Sequence, residues 1–467
     1  MSLSARLKSH VRTLPGAWAT WRSMAVAGLA VAALVGVLAI GAAHRAARAA
    51  ATTGDIELTM WVMPVTTAAQ RDVAALVQPW LAEHPRVHLR LTVLDWESGW
   101  NKVTAAAASR RGPDLLELGT TWMPAIAAMG GLEPLTPAQV AAVGGAGSFY
   151  PELWKTTGVL GQPGCYGLPW YADVRAAYYR TDAFERAGVD PRAAFASWPA
   201  FRAALQKVNG VQVVGKRVAA LAYAGKNDWN VVHNLAPWIW NAGGDVLTAD
   251  GRHSALGTPQ ALRAIDFYAR LAADGLVPPN ALEKDSDILE GAFVGGDYAV
   301  IFSGSWLIRR IFESPPGTPV REHFDVAPYP PGDQGHATFF GGSNLAIFKG
   351  SRHKAEAASL LAFLGSREAQ VRLSLVSSMM PTRPDAAADP RLAARHPAYA
   401  KLAAIARDGR AYPPIPAWGP LETVYTKHLG ALAELSSGVS GAYSEPAMRA
   451  LVATTVHEAD KVLKEAE

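Results

Sequence analysis

The sequence predicts an α/β protein built from two lobes. Its 467 residues exceed what one hydrophobic core usually organises, so we expect two cores. The body begins with a β-rich run at 56–62, a helical stretch and a second β-rich run at 87–94, which is the repeating unit of a parallel α/β sheet. Further strand-like runs, separated by helical segments, continue this pattern at 114–118, 176–180, 218–223, 298–302 and 339–348.

Residues that begin and end helices mark the segments between these strands. Thr66 is the predicted N-cap of the first helix, which ends before His84 and Pro85. Ser197 is the predicted N-cap of a later helix, with Pro199 in its first turn, where the missing N–H costs nothing. With glycines as stop signals, the predicted helices are 67–81, 100–109, 124–129, 181–187, 198–208, 231–240 and 258–274, followed by mostly helical structure after residue 348.

Charge is unevenly distributed along the chain. Residues 1–50 contain six basic residues and no acidic residue, while the net charge of the whole chain is +4, so the remaining residues carry −2. A near-neutral, slightly acidic body offers no basic surface to a phosphate backbone. The sequence therefore argues against nucleic-acid binding.

Segment 1–50 is typical of an export signal. Basic and polar residues precede an uncharged run at 24–43, and Ala47-Arg48-Ala49 fits the small-x-small pattern of signal peptidase sites. This run is longer than the roughly 7–15 residues of a signal peptide's apolar segment and is long enough to span a bilayer. The leader is therefore a cleaved signal peptide or an uncleaved N-terminal anchor. Both place the body outside the cytoplasm, in the periplasm or at the outer face of the cytoplasmic membrane, and no later segment is long and apolar enough to cross a membrane.

Cysteine content and missing motifs exclude several kinds of chemistry. Cys165 is the only cysteine, which excludes an intramolecular disulfide and a cysteine-based zinc or iron–sulfur site. We interpret Cys165 as a buried or partly buried thiol rather than a nucleophile. Motifs for dinucleotide binding, phosphate loops, serine hydrolases and zinc proteases are missing. We therefore expect no metal, no cofactor and no catalytic residue.

Residues 167–182 form the most informative segment. They predict an aromatic loop that carries a carboxylate and leads into the strand 176–180. Flat aromatic rings cover the weakly polar faces of sugars, and a carboxylate accepts hydrogen bonds from sugar hydroxyls, so Tyr171 and Asp173 suit a carbohydrate-binding floor. A buried loop without ligand contacts is the alternative.

Many tryptophans fall where a strand gives way to a loop, or beside glycine and proline. Ligands of open α/β sheets bind beyond the carboxyl ends of the strands, so this placement favours recognition for the group. A single tryptophan is more often a core residue. The tryptophans in question are Trp61, Trp96, Trp122, Trp170, Trp238, Trp240, Trp306 and Trp418, of which Trp96, Trp122, Trp238, Trp306 and Trp418 are predicted ligand contacts.

Polar residues complete the predicted site. Glu97 and Asp173 are the acids expected in the cleft, and such a pair is also compatible with glycoside hydrolysis. Arg383 lies between prolines in Pro381-Thr-Arg-Pro384 and has several donors for one hydroxylated ligand. A surface arginine is the alternative there, while Asp114, at the start of a strand, is more typical of a structural cap.

Several segments together resemble the extracellular solute-binding proteins of ATP-driven sugar importers, the maltose-binding-like group. No single segment is specific, but their order along the body from about 56 to 460 supports the resemblance. The segments are 112–119, 129–135, 168–173, 179–182, 187–188, 197–199, 242–245, 303–306, 341–346 and 361–364.

The resemblance implies a periplasmic-binding-protein fold of type II, with a hinge and an interlobe cleft. It implies lobe 1 from 55–170 with 345–385, and lobe 2 from 171–340 with 395–467, with chain crossings near 169–175, 341–346 and 384–395. Two departures are the absent lipid-attachment cysteine and Gly304-Ser305-Trp306 in place of the commoner Gly-Pro-Trp, which puts Ser305 among the predicted contacts. Family positions that line the cleft match Thr121, Trp122, Tyr171, Asp173, Trp306, Gly341, Gly342 and Arg383.

The function implied is that of a substrate-binding protein of an ABC importer, without catalysis. It would capture a carbohydrate, by the size of the aromatic set a di- or oligosaccharide, close its lobes and deliver the sugar to a membrane permease as a monomer. The alternatives are a secreted carbohydrate-active enzyme and a binding protein for a peptide, polyamine or metal.

Overall fold

The computed structural model describes residues 54–225, 228 and 230–466. The leader, with its predicted apolar segment 24–43, lies outside these residues. Across the described residues, no helix combines the length and apolar character that crossing a bilayer demands.

The structure alternates strands and helices along most of its length. The strands are β1 (Ile56–Val62), β2 (Val87–Val93), β3 (Leu115–Gly119), β4 (Leu168–Val174), β5 (Ala176–Arg180), β6 (Val211–Val213), β7 (Lys216–Ala222), β8 (Tyr298–Ser303), β9 (Phe324–Ala327), β10 (Thr338–Ile347) and β11 (Gly409–Arg410). The helices are α1 (Ala69–Glu83), α2 (Trp96–Ser109), α3 (Met123–Ala128), α4 (Pro137–Ala142), α5 (Pro151–Lys155), α6 (Thr181–Arg186), α7 (Pro191–Ala194), α8 (Trp198–Val208), α9 (Asn230–Asn241), α10 (Pro259–Ala273), α11 (Pro279–Leu282), α12 (Ser286–Val294), α13 (Trp306–Glu313), α14 (Lys354–Leu364), α15 (Arg367–Ser377), α16 (Pro384–Ala387), α17 (Pro390–Arg395), α18 (Ala398–Ile405), α19 (Trp418–Ser436) and α20 (Glu445–Glu465).

The first sheet has the strand order β2, β1, β3, β10, β11, and β4 also pairs with β10. Strands β1 and β3 are parallel, as the strand–helix–strand pattern predicts. Strand β10 runs antiparallel to both β3 and β4, with Ser343 opposite Gly119 and Gly341 opposite Asp173. Because β10 lies between β3 and β4, it brings the ends of both strands together.

The second sheet has the strand order β6, β7, β8, β5, β9. Strands β7 and β8 are parallel, whereas β5 is antiparallel to β8 and to β9. Arg175 is the single residue between β4 and β5, so the chain leaves the first sheet for the second there, and it returns between β9 and β10. The predicted α/β class is confirmed, with one sheet on each side of these crossings.

Two predicted helix starts differ from the structure by more than one residue. Helix α2 begins at Trp96 rather than residue 100, because the Asp95 carboxylate caps it by accepting hydrogen bonds from the N–H groups of Glu97 at 2.7 Å and Ser98 at 3.2 Å. Helix α1 begins at Ala69, so the prediction of Thr66 as its N-cap was wrong. The Thr66 hydroxyl instead accepts from the Ala68 N–H and donates to the Asp72 carboxylate.

Segment 168–174 is a strand and not the predicted loop. All of its residues are buried, because β10 pairs with it and helices cover it. Asp114 has a structural role, as predicted: its carboxylate accepts from the Thr59 N–H and hydroxyl at 2.8 Å and from the Ser351 hydroxyl at 2.7 Å.

Trp238 lies in the core that covers the second sheet, not at its rim. Its side chain is 0% exposed. Every residue of α9 is buried, which leaves this helix without a solvent face. The indole is surrounded by rings at centroid distances of 5.4–6.4 Å, from Trp198, Phe201, Phe267, Tyr268, Phe302 and Tyr329.

Candidate functional site

A crevice lies where the first sheet, the crossing strand β10 and the segment before α19 meet. The β3–α3 loop contributes two threonines, β10 contributes two phenylalanines, and segment 411–418 supplies most of the opposite wall. All of the lining side chains are uncharged: Thr120, Thr121, Pro124, Thr156, Phe339, Phe340, Ala411, Tyr412, Pro413, Pro414, Ile415 and Trp418.

Three half-buried tryptophans form a cluster next to Thr121. The ring centroid of Trp122 lies 5.3 Å from that of Trp96 and 5.5 Å from that of Trp100. Trp96 and Trp100 are four residues apart on α2 and therefore share one helix face. Gly119 lies against the cluster, since an added Cβ there would make ordinary van der Waals contact with Trp96 at 3.5 Å. The cluster is a broad aromatic surface at the carboxyl end of β3.

Trp306 begins α13, directly after β8, and its indole is held on several sides. Its Nε1–H donates to Glu290 Oε1 at 2.9 Å, and the Arg175 guanidinium lies 4.8 Å from its ring centroid. Gly304 lies under the ring, because an added Cβ there would be 1.9 Å from the indole. The side chain is nevertheless half-buried rather than buried, so part of the ring remains accessible.

Asp173 is engaged by Arg175, not open to a ligand. Arg175 Nε lies 3.0 and 2.9 Å from the two carboxylate oxygens, and Nη2 lies 2.8 Å from Oδ2. The same guanidinium donates to the side-chain oxygens of Asn230 at 2.5 Å and Asn234 at 3.3 Å on α9. Burial raises the pKa of Asp173, while the charge of Arg175 opposes that shift. The structure thus places Asp173 as the counter-ion of a buried arginine.

Tyr171 is tied to a second buried acid. Its hydroxyl donates to Glu117 Oε1 and accepts from the Ser343 hydroxyl at 2.9 Å, and the other Glu117 oxygen accepts from the Met63 N–H at 2.7 Å. Glu117 is 0% exposed, and burial raises its pKa to about 7 despite these hydrogen bonds. Tyr171, which the sequence predicts as a sugar contact, is therefore buried and held through its hydroxyl.

The buried Glu117 makes stability depend on pH. Between its ordinary value near 4.5 and about 7, the folded chain holds a proton that the unfolded chain releases, so the contribution of Glu117 to stability falls as pH rises through this window. As pH rises from 5 to 8, we expect the free energy of unfolding of Glu117→Gln to increase relative to that of wild type by on the order of 2–4 kcal/mol. Thermal unfolding at both pH values measures this difference. The exposed Glu83→Gln is the control, and an equal pH response of the two variants would contradict the prediction.

A further acid, the half-buried Glu422, lies behind the opposite wall. The rings of Tyr412 and Trp418 stack at 3.9 Å, and Trp418 Nε1–H donates to Glu422 at 3.2 Å. His233 stacks on Phe339 at 4.1 Å, and its Nδ1 lies 3.0 Å from the Tyr412 hydroxyl. Burial raises the pKa of Glu422 to about 7 and lowers the pKa of His233 well below its usual range. Trp418 lines the crevice although it is itself buried.

Elements that flank the first and second sheets contact each other at two points. Arg309 on α13 donates through Nη2 to the Thr67 hydroxyl in the β1–α1 loop at 2.8 Å. Gly419 on α19 lies against Trp100, to which an added Cβ would be 3.5 Å distant. Helix α13, between two strands of the second sheet, and helix α19 therefore both contact elements of the first sheet.

The remaining predicted contacts lie apart from the crevice or are already engaged. Glu97 is exposed on the first turn of α2. Arg383 donates to both Asp385 oxygens at 3.0 Å and to the Val143 carbonyl at 2.9 Å, which leaves it in a structural tie. Ser305 is buried, and its hydroxyl has no hydrogen-bond partner among the described residues.

Gly341 and Gly342 belong to the paired part of β10. Gly342 accepts a hydrogen bond from the Thr120 N–H at 2.9 Å and faces the β4 backbone across from Ala172. Gly341 lies close to the side chains of Phe339 and Thr120, which both line the crevice. The two glycines therefore lie between the crevice lining and strand β4.

The sequence prediction missed Trp100, Arg175, Glu117 and Tyr412. The i, i+4 spacing of Trp96 and Trp100 after a capping aspartate was an available signal for the first. Arg175 follows Asp173 by two residues, which puts both side chains on one face of an extended segment. Glu117 and Tyr412 gave no such signal, because long-range packing brings them to the site.

Comparisons with known proteins agree on one family and one fold. A family model described as "Bacterial extracellular solute-binding protein" matches residues 64–371. The diacetylchitobiose binding protein DasA of Streptomyces coelicolor is 24% identical over 368 residues, which cover 78% of this chain and 81% of that protein. An ABC transporter solute binding protein from Thermotoga lettingae TMO, bound with α-D-tagatose, matches with a TM-score of 0.75 at 23% identity, over 88% of this chain and 100% of that chain. The sugar-binding protein MalE from Xanthomonas citri matches with a TM-score of 0.74 at 23% identity, over 88% and 98% of the two chains. The structural matches show the two-lobe periplasmic-binding-protein fold.

Proposed function

The chain belongs to the bacterial extracellular solute-binding protein family, and from this premise we propose that it captures a carbohydrate outside the cytoplasm for an ABC importer. The observation that carries the proposal is the uncharged crevice next to the cluster of Trp96, Trp100 and Trp122. Indole faces pack on the apolar faces of sugar rings, and threonine and tyrosine hydroxyls hydrogen-bond to sugar hydroxyls. The names of DasA and MalE, which specify sugars, support the same ligand class.

The charge of the crevice separates sugars from other solutes. A polyamine site needs exposed carboxylates, whereas Asp173 is neutralised by Arg175 and the crevice lining is uncharged. Glycoside hydrolysis requires two free carboxyl groups, and the ion pair with Arg175 engages one of the two candidates, Asp173. A neutral polyol or saccharide suits this surface best, and we propose a di- or oligosaccharide because the aromatic surface exceeds one sugar ring.

Closure of two lobes is the proposed mechanism. We place the boundary between lobes at Arg175, five residues after the boundary inferred from the sequence, because β4 pairs within the first sheet to its end. Because β10 also belongs to the first sheet, lobe 1 then contains residues 55–174 with 338–385, and lobe 2 contains 176–337 with 395–467. A ligand that contacts both walls shifts the population toward the closed form, which a membrane permease recognises. We propose that the protein acts as a monomer, exported or anchored by segment 1–50.

The proposed ligand contacts are a revision of the predicted set. Asp173 and Arg383 are left out because each is engaged in a structural ion pair. The others left out are buried, paired within β10 or exposed on the first turn of α2: Tyr171, Trp238, Ser305, Trp418, Gly341, Gly342 and Glu97. The revised contacts are Trp96, Trp100, Thr121, Trp122, Trp306 and Tyr412.

A thermal-shift screen tests the function directly. The panel contains glucose, tagatose, maltose, diacetylchitobiose, longer oligosaccharides and spermidine. We expect at least one neutral sugar to raise the melting temperature in a concentration-dependent way. A response to spermidine alone would contradict the proposal. Chromatography of each oligosaccharide after incubation with the protein tests the enzyme alternative, and breakdown products would favour it.

Loss of an exposed indole face is expected to weaken sugar binding. Trp122→Ala and Trp306→Ala should each reduce affinity by roughly 1–3 kcal/mol if stacking dominates. Isothermal titration with the sugar that gives the largest thermal shift measures this change. Trp198→Ala is the control, since this half-buried tryptophan stacks on Phe267 at 4.7 Å within the second core. Equal affinities for wild type and Trp122→Ala would remove Trp122 from the site.

A further inference from the structure

Arg175 lies where both crossing segments meet. It is the one residue between β4 and β5, its N–H donates to the Phe339 carbonyl at 3.2 Å, and its own carbonyl accepts from the Thr338 hydroxyl. Phe339 and Thr338 begin β10, the strand by which the chain returns to the first sheet. The backbone of Arg175 therefore joins the two connections between the sheets.

The guanidinium of Arg175 is buried and held in a fixed plane. Its side chain is 1% exposed, and Asp173 binds it through both carboxylate oxygens. Asn230 and Asn234 of α9 accept from its remaining edge. A planar fork held by partners on two sides has little rotational freedom.

The Trp306 indole rests against this fixed plane. The guanidinium carbon lies 4.8 Å from the ring centroid, a cation–π distance, and Glu290 holds the indole N–H at 2.9 Å. Glu290 is itself buried and accepts from the Ser303 hydroxyl at 2.6 Å. The ring is thereby oriented by an arginine at the crossing and by an acid beneath it.

We propose that Arg175 is a positioning residue, which sets the orientation of Trp306 from the interlobe crossing and so couples hinge geometry to the ligand-facing indole. The inference builds on the proposed function, because Trp306 is a ligand contact there. In this scheme Asp173 influences binding only through Arg175. An indole already held in its binding orientation loses less conformational entropy when a sugar packs on it.

Fluorine NMR of the full chain labelled with 5-fluorotryptophan tests the inference without any ligand. The Trp306 resonance is assigned by its disappearance in Trp306→Phe. We expect Arg175→Lys, which keeps the charge and removes the planar fork, to move or broaden the Trp306 resonance by more than its linewidth. An unmoved Trp306 resonance in folded Arg175→Lys overturns the proposal.

Arg180→Lys is the matched control. Arg180 is also 1% exposed, also binds an aspartate two residues away through two oxygens, and lies at the far end of β5. We expect this variant to leave the Trp306 resonance in place, and an equal displacement by both lysine variants overturns a specific role for Arg175. If Arg175→Lys does not fold, Asp173→Asn loosens the fork instead, and it should displace the same resonance.

The outcomes separate the inference from the function on which it builds. Displacement of the resonance without binding of any sugar in the thermal-shift panel removes the proposed function and keeps the positioning role. Sugar binding with an undisplaced resonance keeps the function and removes the role of Arg175.

Discussion

Replacing Gly342 with alanine is expected to cost roughly 2–6 kcal/mol of stability, the largest effect of any single methyl group near the crossing. The backbone φ of Gly342 is +128°, a conformation that residues with a side chain rarely adopt. An added Cβ would also lie 2.1 Å from the Tyr171 carbonyl oxygen and 2.9 Å from Ala172 Cα. Both obstacles are backbone atoms of β4, so relief requires the two paired strands to separate.

Gly188→Ala separates strain from steric conflict. Gly188 also has a positive φ, +65°, but an added Cβ there meets nothing within 4 Å. Its cost should be about 1–2 kcal/mol, from the left-handed conformation alone. Thermal unfolding of the two variants measures the difference, and equal melting temperatures would show that β10 moves away from β4 without penalty.

Asp173→Ala is expected to destabilise the protein by about 3–5 kcal/mol, because it removes the carboxylate that binds the buried Arg175 guanidinium through both of its oxygens. The two amide oxygens of Asn230 and Asn234 remain as partners, yet they carry no charge to offset the desolvated cation. Melting temperature and the yield of folded protein report the loss. Binding should fall as well, since Arg175 supports Trp306.

Asp385→Ala is the control, because it removes an aspartate from a more solvent-exposed Asp–Arg pair. Asp385 binds Arg383 two residues away through both oxygens at 3.0 Å, but its side chain is 50% exposed, against 7% for Asp173. Water replaces the lost partner, so we expect a cost of only about 0–1 kcal/mol. Comparable destabilisation by the two alanine variants would mean that burial does not set the strength of the Asp173–Arg175 pair.

Local pattern was enough to predict most of the strands. Runs 56–62 and 176–180 match β1 and β5 in both bounds, because buried strands are short apolar or β-branched runs between turn residues. The start of α2 was missed by four residues, although Asp95 had the residue type of an N-cap. Segment 168–174 was misjudged because proline and charged residues suggest a loop, whereas pairing with β10 makes it a strand.

The site was less predictable because tryptophan suits both a core and a ligand surface. Trp306 lies at a strand end with glycine beside it, while Trp238 sits in a helix with apolar residues on all sides. The unbroken apolar run 235–240 around Trp238 was the signal that it is a core residue. For Asp173, the sequence showed a carboxylate but not its neutralisation, which depends on how Arg175 folds back at the crossing.

The hydrogen bond from Arg309 to Thr67 joins helix α13, next to the second sheet, to the β1–α1 loop of the first sheet. In the proposed capture of a solute between the two lobes, this exposed hydrogen bond must break whenever the lobes part. For the proposed capture, a parting step before solute entry would make the observed binding rate level off at high solute concentration, and stopped-flow measurement of that rate tests this consequence.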